Sequence, residues 1–145
     1  MMQTGWLLPD LDNENTAEFW AACARGELAV QACASCGKWR MPPRPMCPAC
    51  RSTDARWDVT SGSGRIWSFI VPHPPLLPAF AELAPYNAII VALEEDPTIR
   101  FAGNLVTSAQ GAINEIDPST IRIGEPVRVV FARVEDVALP RWVRA

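Results

Sequence analysis

Five cysteines stand in a chain of 145 residues, and four of them form two Cys-x-x-Cys pairs. The first pair is Cys33 and Cys36 in CASCG, the second is Cys47 and Cys50 in CPAC, and ten residues, Gly37 to Met46, separate them. Each Cys-x-x-Cys turn aims two sulfurs at one ion and points backbone N–H groups toward the thiolates. Gly37 after the first turn and Pro48 inside the second are residue types that such turns accept. Two turns from facing hairpins give tetrahedral S4 coordination, the geometry of a structural Zn2+. With protein sulfur at all four positions, none is open for an activated water, which speaks against metal-assisted hydrolysis or deamination. A rubredoxin-type iron centre uses the same ligands and is the alternative metal. Thioredoxin-like chemistry is disfavoured, because neither pair opens a helix in a βαβ unit. Cys23, outside the motif, reads as a small buried apolar residue.

The remaining candidates carry less. His73 is the sole histidine, in a proline-rich loop, with no nucleophile or carboxylate that sequence alone pairs with it. GxSxG, Walker, GxGxxG and HExxH patterns are all missing. Glu94, Glu95 and Asp96 read as a solvated turn. The net charge of −3 argues against non-specific nucleic-acid binding, which depends on Lys and Arg neutralising phosphates. Charge is nonetheless unevenly spread. Seven basic and three acidic residues lie between Arg25 and Arg65, whereas six basic and nine acidic follow from Ile66 onward. Residues 1–10 have no basic residue and no apolar core suited to a secretory signal, and no apolar run approaches the ~20 residues a bilayer requires. The expected location is cytoplasmic, without membrane contact, where thiols stay reduced and paired cysteines are metal ligands.

These residues need elements to hold them. An extended arm should occupy the first fourteen residues. A short helix then follows, with Asn15 as N-cap, Glu18 completing a capping box and Gly26 ending it in the left-handed conformation. Leu28 to Ala32 and Ala55 to Thr60 read as strands flanking the cysteine module. Beyond Gly62-Ser63-Gly64 the pattern becomes all-β, with strands expected at Arg65–Val71, Asn87–Leu93, Ile99–Val106 and Val127–Val134 and an edge strand at Leu139–Val143. Five strands in meander order suit a small closed barrel of the OB type. Six tryptophans are present, at least half of them expected in the core. Phe19, Trp20 and Trp39 are candidate partner-binding anchors, and Leu76, Leu77 and Phe80 give the Pro72–Pro85 loop more apolar surface than a solvated loop needs. Lys38, Arg40 and Arg44 are candidate contacts to an acidic partner.

Taken together, these segments resemble the acyl-CoA-associated zinc-ribbon and OB-fold family, long labelled only a domain of unknown function. The resemblance is carried by FWAACARGEL (19–28), CASCG with CPAC, GRIWSFIVPHPP (64–75), PAF (78–80), PYNAIIVALEE (85–95), GNLV (103–106), IRIGEPVRVVF (121–131) and LPRWVRA (139–145). It implies a mainly β fold: an N-terminal helical arm over 1–27, a rubredoxin-like zinc ribbon over 28–61 and a C-terminal OB-fold barrel over 62–145. It further implies a non-catalytic accessory subunit, with one structural zinc per chain, that completes a thiolase-superfamily acyl-CoA enzyme. That enzyme would be a thiolase or retro-aldolase, including those of steroid side-chain degradation, and this chain would meet the acyl-CoA thioester only through the complex. The other reading is a nucleic-acid-binding zinc-ribbon and OB-fold protein, which needs stacking aromatics on a basic barrel face. Two positions depart from the family pattern. Arg51 follows the second cysteine pair where glycine is usual, and Trp142 stands where relatives have Phe.

Overall fold

The computed structural model describes residues 5–145, so the first four residues of the expected arm lie outside it. Helix α1 spans Ala17–Ala24 and buries Phe19, Ala22 and Cys23. Its start corrects the expected capping box. Thr16 takes the cap position without a side-chain bond, because Asn13 already turns the chain, its side chain accepting from the Asn15 N–H and its carbonyl from the N–H groups of Thr16 and Ala17. The end behaves as expected. Gly26 has φ +78°, its N–H donates to the Cys23 carbonyl and the Glu27 N–H to that of Ala22, which satisfies the last turn.

The chain then enters a three-stranded antiparallel sheet of β1 (Ala29–Cys33), β2 (Trp39–Arg40) and β3 (Ala55–Val59), ordered β2-β1-β3. A five-stranded sheet follows: β4 (Ser63–Ile70), β5 (Ala88–Leu93), β6 (Arg100–Gly103), β7 (Pro126–Val134) and β8 (Val137–Arg144), ordered β6-β5-β4-β7-β8. Between β4 and β5 the proline-rich loop contains one short helical turn, α2 (Pro78–Ala81).

The expected third barrel strand is shorter than read from sequence, and the reason is closure. After Gly103 the chain leaves β5, and Leu105 forms a parallel bridge with Trp142 of β8. The Trp142 N–H donates to the Asn104 carbonyl at 3.0 Å, and the Val106 N–H to the Trp142 carbonyl at 2.8 Å. A meander whose third strand meets its fifth in parallel is the OB arrangement, a partly open five-stranded barrel. The fold is therefore mainly β, with a short N-terminal helix, a four-cysteine ribbon and an OB barrel. Asn87, fully buried, supports the seam: its amide donates to the Leu105 carbonyl and accepts from the Leu105 N–H.

One core joins the parts. Phe19 and Cys23 from α1, Leu28 and Val30 beside the ribbon, and Ile66, Val91, Phe101 and Trp142 from the barrel belong to one buried cluster. The linker is also pinned directly. Thr60 donates twice to the Leu28 carbonyl, and Ser61 donates its N–H and hydroxyl to the Glu95 carboxylate. Of the six tryptophans only Trp142 is fully buried. Trp20, Trp39 and Trp57 pack half-buried against the core, and Trp67 is exposed. A smaller cluster (Val106, Ile113 and Val143, with Trp6, Phe80, Leu83, Tyr86 and Val130 against it) ties the arm and the 78–86 segment to the barrel.

Candidate metal centre and partner-facing surface

The two cysteine turns are built alike. In the first, the Gly37 N–H donates to the Cys33 carbonyl and the Cys33 N–H to that of Lys38; in the second, the Arg51 N–H donates to the Cys47 carbonyl and the Cys47 N–H to that of Ser52. The fifth residue of each turn is left-handed: Gly37 at φ +77° and Arg51 at φ +64°. The exchange of glycine for Arg51 thus leaves the turn's shape intact and loads the backbone of a residue that visits this region at a cost of roughly 1–2 kcal/mol.

β1 carries Cys33 at its end, and the second turn folds across so that the two pairs interleave. The sulfurs of Cys33 and Cys50 are 3.5 Å apart, those of Cys36 and Cys47 3.8 Å, and all four lie within 4.8 Å of one another. Cys33 and Cys47 are buried; Cys36 and Cys50 face solvent. The local electrostatics suit a cation. The Cys36 N–H points at the Cys33 sulfur, the leading reason the Cys33 thiol falls to about 6. The Cys47 thiol is lowered chiefly by the backbone N–H groups of Cys50 and Ala49. Cys50 goes the other way, to about 11: the Ser52 N–H favours its thiolate, but the Cys33, Cys36 and Cys47 sulfurs and burial together outweigh it. Four thiolates this close repel one another, and a divalent cation among them removes that cost. The donor set fits one soft or borderline metal ion. Cys23 is 1% exposed, and burial pushes its thiol up to about 12, as an inert core residue should behave.

The other sequence candidates are not gathered at one place. Phe19 lies in the core, stacked on Phe101 at 6.0 Å, which takes it out of the exposed set. Trp20 packs edge-on against Phe19 and lines a cleft of about 170 Å³ with Leu11, Ala17 and Val137. Trp39 is half-buried, and its indole N–H donates to Asp58 at 2.9 Å. Leu77 is exposed and Leu76 half-buried, while Phe80 stacks on Trp6 at 5.1 Å and so fastens the arm. Leu7 from the arm meets Leu77 and Pro78 around an open apolar groove of about 490 Å³. His73 is exposed on its loop.

Among the basic candidates, Lys38 and Arg44 are exposed but Arg40 is not. Arg40 is 6% exposed and donates to the Gln31 side chain and the Arg44 carbonyl, and the same Gln31 oxygen accepts from the Arg44 N–H. Its guanidinium orders the Met41–Met46 loop instead of reaching outward. Sequence reasoning missed Gln31, because a lone glutamine in a strand gives no signal of the two donors that converge on it.

Two family patterns match this chain in succession: "ChsH2, rubredoxin-like zinc ribbon domain" over residues 20–55 and "ChsH2, C-terminal OB-fold domain" over residues 57–132. A DUF35 domain-containing scaffold protein of Methanothermobacter thermautotrophicus is 37% identical over 77% of each chain. The chain belongs to this family. The 3-oxo-4,17-pregnadiene-20-carboxyl-CoA hydratase alpha subunit of Mycobacterium tuberculosis is 34% identical over 90% of this chain and 38% of its own length. The probable enoyl-CoA hydratase alpha subunit of Thermomonospora curvata is 40% identical over 82% of this chain and 33% of its own. This chain therefore spans about a third of the length of those two curated relatives. Among solved structures, a chain of the Ltp2-ChsH2(DUF35) aldolase superposes with a TM-score of 0.79 at 33% identity, covering 94% of this chain and 98% of that one. A DUF35-family protein of unknown function from Sulfolobus solfataricus shares the fold at 9% identity and a TM-score of 0.60.

Proposed function

We propose that this chain is a non-catalytic accessory subunit that binds and completes a thiolase-superfamily acyl-CoA enzyme, a thiolase or a retro-aldolase of the kind that shortens steroid side chains. The observation that carries the reading is the near end-to-end likeness, at 33% identity, to a chain of the Ltp2-ChsH2(DUF35) aldolase. The described residues support it by what they assemble. Their densest cluster of reactive side chains is an all-sulfur metal site, which structures a ribbon and offers no open position for substrate. Residues 1–27 serve as arm and helix, 28–61 as ribbon and 62–145 as barrel in this scheme, and the complex works in the cytoplasm.

In this reading Cys33, Cys36, Cys47 and Cys50 hold one Zn2+, which ties the two turns together and stabilises the ribbon. The protein's own residues do the rest. Thr60, Ser61 and Glu95 transmit the ribbon's position to the barrel, and Trp6 on Phe80 holds the arm against it. Trp20, Trp39, Leu76 and Leu77 offer apolar surface to the partner, and Lys38 and Arg44 offer charge to its acidic groups or to CoA phosphates.

The test is co-expression with a thiolase-like aldolase subunit. The two proteins should co-purify, with one zinc per copy of this chain by elemental analysis, and this chain alone should not turn over acyl-CoA substrates. Trp20→Ala, and Leu76→Ser with Leu77→Ser, should weaken co-purification while zinc content is kept. Iron in place of zinc would refute the metal assignment. Turnover by this chain alone, lost on His73→Ala, would refute the accessory role.

A further inference from the structure

The barrel's exterior is divided in two. Over β7 and β8 the chain covers itself, with Val130 and Val143 under Trp6, Phe80 and Ile113. Over β4, β5 and β6 the outward side chains are open. β5 alternates strictly, with Ile89, Val91 and Leu93 buried and Ala88, Ile90 and Ala92 turned out. Register places Ala102 of β6 beside Ile90, and Ile70 of β4 beside Ala88. Alternation from the buried Gly64 and Ile66 puts Trp67 on the solvent side, 51% exposed, and the irregularity between Ile66 and Ser68 turns Ile70 to the same side, 62% exposed. An antiparallel sheet with one wet face ordinarily turns polar residues outward. This face turns out chiefly Ala, Ile and Trp, with Ser68 opposite Ile90 and Arg65 opposite Ala92.

Its charge is one-sided as well. β4, β5 and β6 contain two charged residues, Arg65 and Arg100, and no acidic one. The Arg100 guanidinium sits 3.8 Å from the Trp67 ring centroid. In the adjoining turn, Glu95 is engaged by Ser61 and Asp96 by Thr98, and only Glu94 faces Arg65, at 3.7 Å with both more than half exposed. So an apolar face edged by arginine lies on a chain whose net charge is −3.

We infer that the outer face of β4–β6 seats the enzyme subunit, through a protein surface that buries Trp67 and Ile70 and sets carboxylates against Arg65 and Arg100. This inference rests on the accessory-subunit reading and places its main anchor on the barrel sheet rather than on the arm or the proline-rich loop. A large exposed aromatic in an apolar surround is the usual centre of such a contact, and complementary charge at its rim sets register and encounter rate. A second copy of this chain fits poorly, because a face carrying only arginine would meet its own like charge. Single-stranded nucleic acid fits poorly too: one tryptophan over a floor of alanines offers no row of rings for successive bases.

The experiment titrates a separately purified thiolase-like aldolase subunit with wild type, with Trp67→Ser plus Ile70→Ser, and with Arg65→Glu plus Arg100→Glu, at low and high salt. Each variant is first checked for zinc content and thermal midpoint; the charge variant alters only exposed side chains and keeps the test open if the apolar one unfolds. The apolar pair should raise the Kd by about tenfold or more. The charge pair should raise it most at low salt, and the gap should narrow as salt screens it. If wild type binds and folded variants bind within twofold of it, the face is overturned and the accessory reading stands. If wild type does not bind, both fall. Self-association of this chain that Trp67→Ser abolishes, or oligothymidine binding that Arg100→Glu abolishes, would assign the face to another occupant and overturn the inference.

Discussion

Replacing Arg51 by glycine should make the protein more stable, and the geometry of the two cysteine turns says by how much. Arg51 sits at φ +64°, the counterpart of Gly37 at φ +77°. Among the described residues its side chain has no hydrogen bond or ion pair, so nothing favourable is lost with it. A non-glycine residue in this region costs roughly 1–2 kcal/mol. Glycine adds freedom to the unfolded chain, which returns about 0.4–1 kcal/mol of that gain. The net expectation is about 0.5–1 kcal/mol of added stability, or about 1–4 °C in thermal midpoint for a chain of this size. Because the ribbon's folding and its metal binding are coupled, the same free energy should appear as a two- to fivefold rise in zinc affinity, on a scale where about 1.4 kcal/mol is tenfold. Competition with a chromogenic chelator and a melting curve read the two quantities independently. Gly37→Ala is the mirror experiment. A Cβ there meets only the Arg56 guanidinium, at 4.0 Å, so conformation alone should destabilise it by about 1 kcal/mol. An Arg51→Gly variant with an unchanged or lower midpoint and unchanged zinc affinity would refute the strain argument.

Two further outcomes follow from the barrel and its junction. Gly103→Ala should destabilise by about 1–3 kcal/mol, because the added methyl would lie 3.0 Å from Cδ1 and 3.1 Å from Nε1 of the fully buried Trp142 ring; an unshifted urea midpoint would mean the seam is loosely packed. Glu95→Gln should loosen the ribbon–barrel junction in a pH-dependent way. Burial works against the Glu95 carboxylate, but the Ser61 N–H and hydroxyl outweigh it and hold its pKa below the usual value. The folded pKa is depressed, so the stabilisation is fully present above the ordinary carboxylate pKa and is lost as pH falls through the lowered one. Wild type and variant should therefore differ at neutral pH and converge in acid, and a gap that widens in acid would show that Ser61 does not favour the ionised form.

What sequence alone determined about this protein is what short stretches of chain decide. A Cys-x-x-Cys turn closes on itself within five residues, so Cys33, Cys36, Cys47 and Cys50 were legible as one site from spacing, and Gly26 was legible as a helix stop because the left-handed region excludes most other residues. The near-continuous apolar, β-branched run over Asn87–Leu93 disclosed a strand, but which of its side chains are buried was left to the fold. The helix start was misjudged by competition at equally short range: Asn13 won the turn that Asn15 was expected to cap. Tertiary structure decided everything that depends on residues far apart in the chain. That Leu105 bridges Trp142, and so shortens the third barrel strand, depends on β8 arriving 37 positions later. That Arg40 is buried against Gln31 while Lys38 and Arg44 stay exposed depends on a strand pairing that composition does not encode. Which tryptophan lies inside and which outside is a matter of the sheet's two faces: alternation from the buried Ile66 turns Trp67 toward solvent, and the irregularity before Ser68 then turns Ile70 outward where alternation alone would bury it. Local geometry is written in neighbouring residues, whereas burial is a property of the assembled fold.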